Sequence, residues 1–377
     1  MRTERHSLTC CTPGTTRELI SLHFGKAGSG QKALIQAALH ADEPPGLLVA
    51  WHLRQELAAM EAEGRLRGEV VLLPMANPIG LSQRVLGRAL GRFESASGEN
   101  FNRNYADLST AAFARLRDEI DAGGAPSVAG ARAALRAACA ELPADSELKS
   151  LRKTLLGLAI DADLVLDLHC DNEAVLHLYT ATPVWDEVEP LARLLGAQMC
   201  LLATESGGEP FDESCSMVWA RLNDHWRTHK GTAVPGWPDA CVAVTIELRG
   251  ETDVSHLHAR RDAAAILAYL VRRGFIEAAP TELPPLLRPP YPLAGSIPVV
   301  TPSGGVLVHR AVLGQDVAQG ECIAEVIDTL SGAVTELVSP VAGFVYARES
   351  VRVVHAGMSI AKVAGAQAIR SGALLSA

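Results

Sequence analysis

Short apolar runs alternate with amphipathic helical patterns along residues 20–275. Apolar runs of four to eight residues between polar turns are typical of buried strands. The predicted strands are 32–40, 69–75, 163–169, 174–180, 199–204 and 241–248. The predicted helices are 45–63, 108–160 with breaks near 123–126 and at Pro143, 184–198, 215–229 and 255–273. This alternation predicts an α/β fold with a largely parallel sheet that helices cover on both faces.

The first helix has the clearest start and end. Pro44 and Pro45 precede it, and proline is favoured in a first helical turn, while Gly64 follows its last apolar residue. We expect its apolar face to contain the following residues: Leu47, Leu48, Trp51, Leu57 and Met60. Residues 77–104 have no sustained periodicity, and so long an irregular stretch within a compact domain is usually functional.

The pattern changes after residue 278. Residues 279–292 are rich in Pro and Leu and are predicted to be a linker, whereas 293–365 contain short Val/Ile runs with frequent Gly and little helix. Two segments within this stretch form a weak internal repeat, which is typical of a small β-barrel or sandwich. We therefore predict a catalytic domain over 1–285 and a small all-β domain over 286–377.

Charge and hydropathy exclude two classes of partner. The chain has 377 residues and a formal net charge of −9, without the basic stripe that nucleic-acid binding needs. Its mean hydropathy is +0.14, but no run reaches the ~18 apolar residues of a membrane span. The N-terminus lacks the apolar stretch of a secretory signal, and the eight cysteines include no CxxC pair. These observations predict a cytoplasmic protein with reduced thiols and no membrane partner.

Candidate metal ligands lie at the ends of two predicted strands. His40 and Glu43 follow the strand 32–40, and His169 ends the strand 163–169. Imidazole nitrogens and carboxylate oxygens are ligands that zinc prefers, and ligands of open α/β sheets gather at the carboxyl ends of strands. Asp167 shares a strand face with His169 and is a candidate to lie behind it. The alternatives are a polar loop and a buried histidine with satisfied hydrogen bonds.

Two further candidates are a buried acid and a polar loop. Glu247 lies in the apolar strand 241–248, where a carboxylate needs either a partner, such as Arg249, or a chemical task. The loop 91–105 contains Arg92, Asn102 and Arg103, which could hold a carboxylate or could simply be solvated.

Taken together, HADEPPG, ANPIG, GRF with NFNR, DLH and TIELRG resemble the succinylglutamate desuccinylase/aspartoacylase family of the zinc-carboxypeptidase-like clan. The resemblance spans roughly residues 20–275 and implies a zinc-carboxypeptidase-like mixed sheet, followed by a lipoyl-like C-terminal β domain. It implies one Zn²⁺ per chain, held by His40, Glu43 and His169, with Glu247 as the catalytic glutamate. The implied activity is hydrolysis of the amide of an N-acyl amino acid or a related small carboxylate-bearing amide.

The resemblance also implies roles for the polar loop. Asn102 and Arg103 match the pair that holds the substrate carboxylate, and Arg92 matches the arginine that polarises the scissile carbonyl, with Arg84 as its rival. The family's Asp-Leu-Asn-Arg is Asn100-Phe101-Asn102-Arg103 here, so the acid that orients the first zinc histidine is missing. We expect Asp42, Asp167 or a backbone carbonyl to replace it.

Several alternatives stay open. A zinc metallocarboxypeptidase acting on peptides would use the same residues, and a silent binding protein would keep only the fold. Glu205, Asp212 and Glu213 could form part of a lid and read a basic substrate, or be solvated. Lys362, the one lysine of 293–365, lies within a predicted strand, so we expect neither lipoyl nor biotin. The partner is expected to be a small molecule, and a homo-oligomer is left open.

Overall fold

A nine-stranded mixed sheet forms the centre of the computed structural model, which describes residues 1–10, 12–123, 127–231 and 236–375. The strands of its first 292 residues are β1 (Arg2–Ser7), β2 (Glu18–Phe24), β3 (Lys32–Ala37), β4 (Glu69–Leu73), β5 (Arg84–Val85), β6 (Arg88–Ala89), β7 (Leu164–Asp171), β8 (Glu173–Ala174), β9 (His177–Ala181), β10 (Met199–Ala203), β11 (Val242–Gly250) and β12 (Tyr291–Pro292). The sheet order is β1-β2-β4-β3-β7-β11-β9-β10-β12, and the central strands β4, β3, β7 and β11 are parallel.

Eight helices of the described residues cover both faces of this sheet. They are α1 (Pro45–Ala62), α2 (Pro78–Ser82), α3 (Ser109–Asp121), α4 (Val128–Ala140), α5 (Glu147–Ala159), α6 (Trp185–Leu195), α7 (Phe211–Lys230) and α8 (His256–Arg272). Side chains of α1, α6 and α8 pack into one hydrophobic core, and those of α3, α4, α5 and α7 pack into another. Successive residues of β3 alternate between them, since Leu34 faces the second core and Ile35 the first. The predicted mixed α/β sheet is confirmed.

Helix α1 begins where the prolines predict it, and Leu48, Leu57 and Met60 of its predicted apolar face pack against the core, but Trp51 does not. Val49, Leu53 and Leu57 are buried against the sheet, while Trp51 is 48% exposed. Residues four apart lie on one side of a helix, and Trp51 falls on the opposite side from Val49. The expectation that Trp51 lies on the apolar face is therefore wrong.

Other predicted boundaries shift by a few residues. The first predicted strand ends at Ala37, because Ala38 has a left-handed φ of 59° that turns the chain out of the sheet. The predicted strand 174–180 is divided into β8 and β9. The stretch 77–104 includes α2 and the β5–β6 hairpin, neither of which was predicted. Of the predicted helix break near 123–126, residues 124–126 lie outside the described residues.

Residues 296–364 form two antiparallel sheets of their own. Their strands are β13 (Ser296–Val300), β14 (Gly305–His309), β15 (Asp316–Val317), β16 (Cys322–Ile327), β17 (Val334–Val338), β18 (Gly343–Arg348), β19 (Val353–Val354) and β20 (Ser359–Ala364). One sheet has the order β13-β20-β18-β15, and the other has the order β17-β16-β14-β19. We call them the C-terminal sheets. They enclose a hydrophobic core of their own.

The C-terminal sheets are joined to the first part by backbone pairing and by packing. Strand β8 pairs with β18, where Ala174 faces Ala347. A separate hydrophobic cluster at this junction includes Met199 and Leu201 from the first part and Phe344 and Tyr346 from β18. The boundary between residues 285 and 286 stays a prediction. Within the described residues, no helix combines the length and the hydropathy that crossing a membrane requires.

Candidate metal centre and active-site cavity

The carboxyl ends of β3, β7 and β11 lie side by side and bring distant residues together. Ala37 of β3 pairs with Leu168 of β7, and His169 of β7 pairs with Glu247 of β11. His40 and Glu43 lie in the short turn between β3 and α1. Three parallel strands thus place the four residues at one edge of the sheet, as predicted from their positions after apolar runs.

His40, Glu43 and His169 form a buried cluster. The Glu43 carboxylate lies between the two imidazoles, with Oε1 2.8 Å from His40 Nδ1 and Oε2 2.8 Å from His169 Nδ1. One ligand atom from each residue lies within 4.8 Å of the others, and the exposed fractions are 3%, 7% and 2%. Two imidazole nitrogens and a carboxylate oxygen suit zinc and leave room for a fourth ligand.

The second nitrogen of His40 fixes its tautomer. His40 Nε2 lies 2.8 Å from Asn100 Oδ1, and since an amide oxygen only accepts, Nε2 must donate. The Nδ1 lone pair is then free for a metal. Asn100 therefore takes the place that we expected Asp42, Asp167 or a backbone carbonyl to fill. Burial lowers the pKa of His40, which favours the neutral, ligating form.

Asp167 lies behind the other histidine. Its Oδ2 is 3.0 Å from His169 Nε2, at an angle that does not make a hydrogen bond, and its Oδ1 accepts from Gln36 Nε2 at 3.0 Å. Burial opposes protonation of His169, but Asp167 and Glu43 outweigh burial and raise its pKa well above the usual value. Negative charge behind a ligating imidazole also strengthens its bond to a metal.

Glu247 stands beside the cluster with one oxygen unsatisfied. Its Oε2 has no hydrogen-bond partner among the described residues, and burial together with Glu43 raises its pKa to about 8. The salt bridge to Arg249 is not formed, because Arg249 pairs with both carboxylate oxygens of Asp262 at 2.9 and 2.8 Å. A left-handed φ of 71° at Arg249 and a bulge in β11 separate the two side chains.

The predicted loop residues fall into two groups. Arg92 Nη1 lies 3.3 Å from both His40 Nδ1 and Glu43 Oε1, and Arg103 lines the same cavity. Asn102 is partly engaged, since its Oδ1 accepts from Phe211 N at 2.8 Å. Arg84 is exposed on the β5–β6 hairpin and does not line the cavity. The structure thus brings Arg92, but not Arg84, to the metal cluster.

The turn that contains His40 packs tightly against the loop. Ala41 N donates to Gly91 O at 3.0 Å, and a Cβ atom on Gly91 would lie 2.1 Å from Asp42 N. Left-handed φ values occur at Ala38, two residues before His40, and at Asn104, directly after Arg103. Backbone strain of this kind gathers at functional sites, where the surrounding structure holds it.

A cavity of about 480 Å³ opens from the cluster and is walled by both parts of the chain. The first part contributes Asp212, Glu213 and Thr245, and the C-terminal sheets contribute Tyr346 and Lys362. Sequence reasoning missed the contribution of the C-terminal sheets. Lys362 Nζ contacts Asp171 Oδ2 at 2.5 Å, two residues beyond His169. The sequence signal for this contact was Lys362 itself, because a lysine within an apolar strand needs an acid as its partner.

The chain resembles known proteins of one family. Residues 29–122 match the family model described as the succinylglutamate desuccinylase/aspartoacylase catalytic domain. Among curated proteins, none has a significantly matching sequence. A solved structure from Shewanella amazonensis SB2B, described as a succinylglutamate desuccinylase/aspartoacylase family protein, is 25% identical with a TM-score of 0.82, over 97% of this chain and 98% of that one.

Two other solved structures share the fold. A protein from Shewanella frigidimarina NCIMB 400, named for the same family, is 23% identical with a TM-score of 0.81, over 96% of both chains. The product-bound ectoine utilization protein from Ruegeria pomeroyi is 17% identical with a TM-score of 0.67, over 96% of this chain and 94% of that one. The resemblance predicted from the motifs is confirmed, and it is to a family of deacylating hydrolases.

Proposed function

Taking this resemblance as the premise, we propose that the protein is a zinc-dependent amidohydrolase. It cleaves the amide bond of an N-acyl amino acid or a related small carboxylate-bearing amide. The observation that carries the proposal is the buried cluster of His40, Glu43 and His169, with the unsatisfied Glu247 carboxylate on the neighbouring strand.

The donor set fits zinc. Asn100 holds His40 in the tautomer whose Nδ1 is free, and Glu43 separates the two Nδ1 atoms at 2.8 Å from each. Three protein ligands with a fourth position open are typical of catalytic rather than structural zinc sites. A zinc ion bound there would acidify a coordinated water and polarise a carbonyl oxygen.

Four residues of the chain would transfer the proton, stabilise the oxyanion and bind the substrate. Glu247 takes a proton from the attacking water and returns it to the departing amine, the acid–base role that a carboxylate beside the metal cluster can fill. Arg92 reaches the cluster and stabilises the negative charge that forms on the carbonyl oxygen. Arg103, with Asn102, binds the substrate carboxylate and so orients the amide. The products are a carboxylic acid and an amino acid.

The shape of the cavity favours a small substrate over a peptide. Tyr346 and Lys362 line it from the C-terminal sheets, and Leu374, whose N–H donates to Ser206 O at 2.7 Å, lines it as well. A metallocarboxypeptidase needs a cleft that admits a long chain, so the peptidase is the weaker candidate. We assign the C-terminal sheets, which we take as a lipoyl-like domain, this walling role. The contact of Lys362 with Asp171 supports a domain without lipoyl or biotin.

A zinc assay combined with a substrate panel tests the proposal. Elemental analysis of the purified protein should give one zinc per chain, and N-acyl amino acids should be hydrolysed faster than dipeptides or longer peptides. The product amino acid would be measured directly. A zinc-loaded protein that cleaves none of the N-acyl amino acids would contradict the proposed function. The seven described cysteines are free thiols, which fits the cytoplasmic location that we also propose.

A further inference from the structure

Two buried acids in the cavity have no place in the proposed mechanism. Asp212 and Glu213 begin helix α7, line the cavity and are 7% and 9% exposed. Acids in a first helical turn are common at a protein surface, where the helix dipole favours them. A buried pair of adjacent carboxylates is different, because desolvation penalises each charge and the charges repel one another.

Burial and neighbouring acids dominate the environment of this pair. Burial and then Asp167 raise the pKa of Asp212 to about 6, and burial and then Asp212 raise that of Glu213 to about 7. Neutral groups lie around the pair: the backbone N–H of Ser206 donates to Glu213 Oε1 at 2.8 Å, and the hydroxyls of Thr245 and Ser206 lie close to Asp212 and Glu213 respectively. Arg103 attracts both carboxylates electrostatically, but no ion pair within 4.0 Å joins a described cation to either of them.

A second observation beside the pair also indicates a ligand. Ser206 is 2% exposed, lines the cavity and lies next to Glu213, yet its Oγ makes no hydrogen bond of good geometry within the described residues. A buried hydroxyl without a partner is costly unless a bound group satisfies it. A carboxylate and a hydroxyl that meet at one wall of a cavity suit the several donors of an ammonium group.

The position of the acids relative to Glu247 says which part of a substrate they would meet. Thr245 lies two residues before Glu247 on the same face of β11, about 7 Å away, and its side chain is close to Asp212. On the other side, the backbone N–H of Phe211, next to Asp212, donates to Asn102 Oδ1. The acids therefore lie between the group that protonates the leaving amine and the groups that hold its carboxylate.

We propose that Asp212 and Glu213 bind a positively charged side chain on the amino-acid half of the substrate, so that the preferred substrates are Nα-acyl derivatives of basic amino acids. The inference rests on the proposed function, since it takes the amine and carboxylate positions from that mechanism. Ornithine and lysine, whose amino groups end side chains of three and four carbons, are the natural probes.

Matched substrates test this proposal with the wild-type, zinc-loaded protein. Nα-acetyl-ornithine and Nα-acetyl-lysine should have a kcat/KM at least about tenfold above that of Nα-acetyl-norvaline and Nα-acetyl-norleucine, which have the same carbon chain without the charge. Nα-acetyl-glutamate should be slower still. Equal rates for charged and neutral side chains, or a preference for glutamate, would overturn the assignment and leave the deacylase function standing.

Two variants locate the preference. Asp212→Asn and Glu213→Gln keep the shape and the hydrogen-bond acceptors, and each should reduce the ratio of basic to neutral substrate by about fivefold or more. Asp224→Asn, on the same helix with a side chain 73% exposed, is the matched control and should leave the ratio unchanged. A preference that survives in both variants would show that other residues read the charge.

A binding measurement separates the two proposals. Free ornithine and lysine, which would be products, should raise the Tm of the wild-type protein more than norvaline and norleucine do, and Glu213→Gln should abolish the difference. Binding of the basic amino acids without hydrolysis of any acyl derivative would refute the deacylase and keep the cation site. Hydrolysis of neutral substrates without this binding difference would refute the cation site and keep the deacylase.

Discussion

The sheet edge and the C-terminal sheets line the same cavity, but they are held in place in different ways. At the sheet edge, the register of β3, β7 and β11 fixes His40, His169 and Glu247, and each ligating side chain has a partner within 2.8 Å. The C-terminal sheets reach the cavity through side chains such as Lys362, and short strand pairing, as of β8 with β18, together with side-chain packing joins them to the first part.

This difference separates the chemistry from the limit on substrate size. Residues that hold a metal need positions accurate to a fraction of an ångström, and a parallel sheet provides them. Residues that limit the size of a substrate can tolerate more movement, and packed sheets suffice for that purpose. We therefore expect substitutions at the sheet edge to abolish activity, and substitutions in the C-terminal sheets to reduce stability and alter selectivity.

The largest effect should come from His169→Ala. Removing one of three ligands leaves a two-ligand site, so the purified variant should contain little zinc by elemental analysis and should have no measurable turnover. His355→Ala, at an exposed position of the C-terminal sheets, is the control and should keep both. Stoichiometric zinc in the His169 variant would refute the ligand set.

Glu247→Gln should separate metal binding from catalysis. The amide keeps the shape of the side chain but cannot take a proton, so turnover should fall about 10²–10⁴-fold while the zinc content is unchanged. The rate of product formation in a single turnover would check the predicted loss. Near-normal turnover with full zinc would exclude Glu247 as the proton carrier.

Lys362→Met tests whether the contact of Lys362 with Asp171 anchors the C-terminal sheets to the first part. Burial lowers the pKa of Lys362, but Asp171 outweighs burial and raises it, so the two charges are strongly paired. Because the lysine side chain is 32% exposed, the loss should be about 1–3 kcal/mol, between the values for exposed and buried pairs. Urea unfolding would measure it, with zinc retained.

Two further variants make the Lys362 result specific. Asp171→Asn in the Lys362→Met background should restore part of the stability, because the unpaired buried carboxylate is then removed. Lys149→Met breaks an exposed pair with Asp145 and should cost less than about 0.5 kcal/mol. Equal losses of unfolding free energy for Lys362→Met and Lys149→Met would mean that the contact of Lys362 with Asp171 does not anchor the C-terminal sheets.

The smallest effect should come from Asn100→Asp. An acid at this position would accept from His40 Nε2 as Asn100 does, and its charge would make the imidazole a stronger ligand. Asn100 Nδ2 has no partner among the described residues, so the change removes no hydrogen bond there. Zinc affinity, measured by competition with a chelator, should rise by less than about tenfold. Weaker binding would show that the neutral amide is the better support for His40.

The sequence predicted the sheet edge well because its signals are local. His40, His169 and Glu247 each follow or end an apolar run, and the carboxyl ends of parallel strands meet at one edge. The neighbours of these residues were harder to predict. Asn100 reaches His40 only because an irregular loop folds back over the turn, and no periodicity reports such a path.

The contacts of the C-terminal sheets and the burial of the acids of α7 could not be predicted from the sequence, for a different reason. Lys362 is predicted to lie in a strand, and it does, but its contact with Asp171 depends on how the C-terminal sheets pack against the first part. Asp212 and Glu213 are equally compatible with a solvated helix start and a buried one. Only the packing of α7 beside β11 decides between these environments, and packing between distant segments is not encoded in any short motif.

The pairing of β8 with β18 has a practical consequence for dissection of the protein. Strand β8 starts four residues after His169, so the strand that carries a metal ligand continues into hydrogen bonds with the C-terminal sheets. A fragment that stops near residue 285 would leave this edge unpaired and would uncover Met199 and Leu201. Such a fragment should aggregate rather than report the intrinsic activity of the first part, so the contribution of the C-terminal sheets is better measured by point substitutions than by truncation.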